Sequence, residues 1–158
     1  MFGLFKSAPF SDPLLGALVR SRGLWRGTLQ LDSAATPLAL AGTRTAPDPD
    51  ALAIARELTT QLAGWRRAIE SALYEHYEPY AESVAAGEIE AADEGLPSIK
   101  SPAEIWPHVS LQYICVIPLD GSLTTELGYV TAWDEEHTLG ARFRGGTFME
   151  LCGSVLRP

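Results

Sequence analysis

The chain has 158 residues with 20 Asp/Glu against 12 Lys/Arg, a formal net charge of −8. A domain of that length buries about 70% of the surface its unfolded form exposes, so residues 1–158 are expected to form one domain without disulfides or metals. At 46% hydrophobic and 20% charged the usage is globular. No apolar run approaches the ~20 residues needed to cross a bilayer, and the first residues lack a signal-peptide core. A cytoplasmic protein with no membrane partner is expected.

The charge is unevenly placed. Residues 70–104 hold Glu70, Glu75, Glu78, Glu82, Glu88, Glu90, Asp93, Glu94 and Glu104 against Lys100 alone, whereas residues 1–44 carry an excess of cations. A field of that sign repels phosphate backbones, which argues against a nucleic-acid partner, and attracts basic proteins. Cys115 and Cys152 both lie in apolar stretches and read as two free thiols. There is no C-x-x-C or H-x-x-x-H, so neither metal nor cofactor is expected.

In chain order, residues 12–18 suit either a short edge strand or a helical turn. Gly23–Leu31 alternates as a half-buried strand, Asp32–Ala35 turns the chain, and Thr36–Gly42 returns as the second strand of a hairpin. The run Thr45 to Asp50 opens a helix, since its prolines fit a first turn and its aspartates complement the positive end. Leu58, Leu62, Trp65, Ile69, Leu73, His76 and Tyr80 then form one apolar stripe, on which His76 reads as a core histidine. Pro79 is expected to kink or break that helix, and residues 85–97 to fray into a loop. Ser101 and Glu104 fit a capping box that opens a short helix halted before Pro107. Beyond it the period becomes extended: Val109–Pro118, Glu126–Trp133, Leu139–Arg144 and Thr147–Ser154, with Gly145-Gly146 as a hairpin turn. The predicted fold is α+β, with an N-terminal β-hairpin and one long amphipathic helix packed on one face of the sheet. A C-terminal four-stranded antiparallel meander completes it.

Two clusters could carry chemistry. Asp134, Glu136 and His137 lie in the run Trp133-Asp134-Glu135-Glu136-His137 and offer the carboxylate and imidazole of an acid–base pair or of a metal-assisted hydrolase. Residues of one tight turn splay apart, however, which favours a structural or recognition role. Tyr74, Glu75, Glu78, Tyr80 and Glu82, with Glu135, combine rings and carboxylates as a contact patch does. No G-x-S-x-G nucleophile elbow and no phosphate-cradling glycine loop are present.

The stretch Trp133 to Gly146 (W-D-E-E-H-T-L-G-A-R-F-R-G-G) resembles small bacterial proteins of unknown function that share a W-D-x-E-H-[GT]-x-G hairpin. The opening Phe10-x-Asp12-x-x-Leu15-Gly16, the segment Leu24-Trp25-Arg26-Gly27 and a helix ending in paired tyrosines are similar as well. The resemblance implies an α+β domain with no established activity, and some relatives look like immunity or accessory proteins near toxin systems. The leading expectation is therefore a non-catalytic interaction module whose acidic face meets a basic protein. The alternatives are the Asp134/Glu136/His137 enzyme and a small-molecule sensor with a pocket near Trp65, Tyr77 and Trp106. Either a monomer or a homodimer is compatible, the latter through an edge strand at 36–42 or 147–154.

Overall fold

A computed structural model describes residues 6–91 and 95–158. Eight strands form one sheet in sequence order: β1 (Phe10–Asp12), β2 (Gly16–Ser21), β3 (Leu24–Leu31), β4 (Ala34–Leu40), β5 (Val109–Leu119), β6 (Ser122–Thr131), β7 (Leu139–Arg144) and β8 (Thr147–Cys152). Neighbours are antiparallel except β4 and β5, which run parallel in the register Leu38 to Ile114 and Leu40 to Val116. A parallel pair needs a long crossover, and the helix α1 (Pro49–Ala85) supplies it.

This corrects the hairpin-plus-meander division. The first half contributes four strands, and both halves join through β4 and β5 into a single sheet. Residues 12–18 are the β1–β2 turn and the start of β2, because the Asp12 carboxylate accepts hydrogen bonds from the Leu14 and Leu15 amides, each at 2.9 Å. Arg56 of α1 pairs with the same carboxylate and holds it below its ordinary pKa. Strand 36–42 is accordingly central, while β1 and β8 are the edges.

The helix begins inside the expected start at residues 45–50 and is capped by Asp48, whose side chain accepts from the Asp50 and Ala51 amides. It does not stop at Pro79. That residue faces solvent, where its ring lies clear of the sheet, and packing on either side carries the helix to Ala85. The capping box is also absent: Ser101 makes no side-chain cap, and Glu104 accepts from the Lys100 amide. Two single 3-10 turns, Pro102–Glu104 and Trp106–His108, take its place.

One sheet face packs on α1. Trp25, Leu38, Leu40, Ile114, Leu127 and Phe143 from the strands meet Leu58, Trp65, Ile69 and Leu73 from the helix. Trp65 stacks on Phe143 with ring centroids 4.0 Å apart and donates its indole N–H to the Gly146 carbonyl. Gly145 and Gly146 sit at φ 55° and 80°, the left-handed pair that a two-residue hairpin turn demands. Among the described residues no helix is long and apolar enough to cross a membrane.

Candidate functional site

The turn between β6 and β7 docks on the last third of α1, and Asp134 is the centre of the contact. Its amide donates to the Thr131 hydroxyl, and its Oδ1 accepts from the His137 amide, which closes the turn. The His137 ring folds back on it, with Nδ1 2.9 and 3.1 Å from the two carboxylate oxygens. From the helix, Tyr80 donates its hydroxyl to Oδ2 at 3.0 Å. Asp134 is only 6% exposed. Burial by itself would raise its carboxyl, but the hydrogen bonds from His137 and Tyr80 outweigh that and hold it below the ordinary carboxylate value.

A second link lies beside the first. Trp133 donates its indole N–H to His76 Nδ1 at 3.0 Å, and its ring meets Tyr77 edge-on at 5.4 Å. An accepting Nδ1 fixes the neutral tautomer of His76 with the proton on Nε2. Burial lowers the pKa of His76, offset in part by the charge of Asp134. The two aromatic–polar links thus fasten the turn to the helix from both sides.

Of the residues expected to act together, Asp134 and His137 do meet. Glu136 is exposed and makes no hydrogen bond to them among the described residues; its charge adds to the rise of the Tyr80 phenol. That phenol is raised by burial and by its bond to Asp134, so it stays protonated and is no nucleophile. Among the described residues no group of three or more His, Cys, Asp and Glu is arranged to hold a metal. What the arrangement offers chemically is one imidazole with an orienting carboxylate on Nδ1.

The contact residues divide in two. Glu75, Glu78 and Glu82 follow helical spacing along the solvent side of α1 and are exposed, as is Glu135 on the turn. Tyr74 and Tyr80 are half-buried, Tyr74 with its hydroxyl on the Lys100 carbonyl. Asp93 and Glu94 lie outside the described residues.

The opposite sheet face carries a polar network that the sequence reading did not find. Glu126 of β6 accepts from the Tyr113 hydroxyl at 2.7 Å and from Arg142 Nε at 2.8 Å, and Arg142 also pairs with Glu150. Burial works against the Arg142 charge, yet these hydrogen bonds outweigh it and raise its pKa. Gly128 leaves room for the Tyr113 ring, and Gly140 for Val155 of the C-terminal segment. Beside them burial pushes the Cys115 thiol up to about 12, which makes it inert. The only advance signal was a lone Glu126 amid an apolar strand pattern.

A family model described as Domain of unknown function (DUF6985) matches residues 29–154. The chain belongs to this family. The matched span takes in the whole of α1, the Asp134 turn and the Glu126 network, while β1 and β2 precede it. The description of the family gives no activity. No curated protein and no solved structure matches the chain.

Proposed function

We propose that this member of the family is a single-domain, cytoplasmic, non-catalytic interaction module, of the immunity or adaptor kind, whose acidic helix face binds a basic protein. The carrying observation is the strip Glu75, Glu78 and Glu82: three exposed carboxylates on one side of α1 that make no ion pair among the described residues. Unpaired surface charge of one sign steers and selects an oppositely charged partner. Asp134, by contrast, spends its oxygens on Tyr80 and His137, which fits a turn anchor.

The test is fluorescence anisotropy of a labelled deca-lysine peptide at low salt. Glu75→Gln/Glu78→Gln/Glu82→Gln is expected to weaken binding about tenfold, on the basis of ~0.5 kcal/mol per exposed pair. A control that neutralises Glu88, Glu90 and Asp120 is expected to bind as the unaltered chain does. Equal losses in both would reduce the interaction to net charge and end the proposal.

The Asp134–His137 pair supports a second reading, acid–base catalysis by His137 with Asp134 orienting its ring. A panel of ester and phosphoester substrates decides it. Hydrolysis abolished by His137→Gln supports catalysis, and no turnover by the purified chain removes it.

A further inference from the structure

The cleft between the middle of α1 and the start of β5 is distinct from both features above. It is an open cleft of about 680 Å³ lined by Leu62, Arg66, Trp106 and Leu111, together with the buried Thr36 and Tyr129. That volume falls within the ~300–1,000 Å³ typical of small-molecule sites. Its lining mixes apolar and aromatic side chains with Asp32, Thr59, Arg66 and Ser110, and the register shift between Leu111 and Tyr113 bends β5 at this place.

Two hydroxyls line this cleft without a partner. Tyr129 is 4% exposed and Thr36 is 5% exposed, and neither hydroxyl has a hydrogen-bond partner among the described residues. Neither is among the sealed, unpartnered side-chain atoms of the described residues, so each hydroxyl keeps some access to solvent. Burial raises the Tyr129 phenol, which therefore stays a neutral donor at any physiological pH. An unpaired buried hydroxyl is costly, and a ligand oxygen relieves it.

Arg66 sets the charge preference. Its guanidinium lies 4.5 Å over the Trp106 ring, and its Nε is 3.0 Å from Glu70. The Trp106 indole donates to the same carboxylate oxygen. Glu70 thus neutralises Arg66, and Asp32 stands at the cleft as a further anion. The site presents donors and a flat aromatic wall, with no excess positive charge to attract a carboxylate.

We propose that this cleft binds a small, uncharged, planar aromatic molecule whose carbonyl oxygen accepts from the Tyr129 and Thr36 hydroxyls while its ring packs against Trp106 and Leu62. The ligand class follows from the donors and the charge balance and is independent of the acidic helix face.

The experiment titrates the 15N-labelled full chain with 2-naphthamide and, separately, with 2-naphthoate, and follows the tryptophan indole N–H signals. The amide is expected to shift the Trp106 indole saturably, to leave that of the fully buried Trp25 unmoved, and to bind more tightly than the acid. Tyr129→Phe removes an unpartnered hydroxyl and is expected to weaken the amide at least about tenfold; Thr36→Val, close to isosteric, is a second such variant. A Trp106 signal unmoved to the solubility limit, tighter binding of the acid, or full affinity in both variants would each overturn the proposal.

Discussion

At the scale of single residues, the buried carboxylate of Glu126 shows what an interior charge requires. Glu126 is buried between the Tyr113 hydroxyl and Arg142, and removing one member of a buried pair strands the other. Glu126→Ala is therefore expected to destabilise the protein by about 3 kcal/mol in chemical denaturation, and a loss under ~1 kcal/mol would show the network to be solvated. Gly128 makes the same point through space: a β-carbon there would overlap the Tyr113 ring. Gly128→Ala should cost about 1–3 kcal/mol by overpacking, although alanine ordinarily favours a strand more than glycine does. His76 gives the electrostatic counterpart. Burial keeps its pKa below the ordinary 6.5, and an NMR titration of its ring should find the midpoint under that value. A midpoint above 6.5 would mean that the ring gains a proton partner and does not accept from Trp133.

At the scale of elements, α1 sets the arrangement. It spans 37 residues and tolerates two residues that oppose helix, because both sit on its solvent side. Nothing lies within 4 Å of the β-carbon position at Gly64, so Gly64→Ala should stabilise the protein by about 1 kcal/mol. Pro79→Ala restores a backbone donor without disturbing the buried face and should raise the thermal midpoint too. If Pro79→Ala lowered it, the proline would be serving a packing role that its exposure does not suggest. The β6–β7 turn is the other decisive element. It is tied to the helix by Tyr80–Asp134 and by Trp133–His76, two links formed by residues 54 and 57 positions apart.

At the scale of the whole molecule, the lowered pKa values of His76, Asp12 and Asp134 act in one direction. The unfolded chain takes up the His76 proton first as pH falls through 6.5, so stability is full above that value and declines below it. The Asp12 and Asp134 carboxyls, also depressed, add a further loss as pH falls below 3.8. Denaturation midpoints are expected to fall between pH 7.5 and 5.5 and more steeply below pH 4.

The same scale shows how much was legible in the sequence. The long helix, its start within residues 45–50 and the strands of the second half announced themselves through periodicity and through Gly145-Gly146. What periodicity could not supply was long-range pairing. The parallel register of Leu38 with Ile114 crosses 76 positions, and no local pattern encodes it. The short strands β1 and β2 were legible only as one of two readings of residues 12–18, because a segment that short fits an edge strand and a helical turn equally well. The Glu126 network escaped because its members alternate onto a face that a half-buried meander would leave wet. At the candidate site, the pairing of Asp134 with His137 was within reach, but their anchoring by Tyr80 belongs to the tertiary fold alone.

The central claim is that the solvent side of α1 around Glu75–Glu82, with Glu135 on the adjoining turn, is the surface that meets a basic partner. The most direct measurement is a 15N–1H chemical-shift map of the chain titrated with deca-lysine at low salt. The account predicts saturable shifts confined to amides of residues 74–83 and 134–137. Shifts spread evenly over the acidic surface, or concentrated around Asp120 and Glu150, would contradict it.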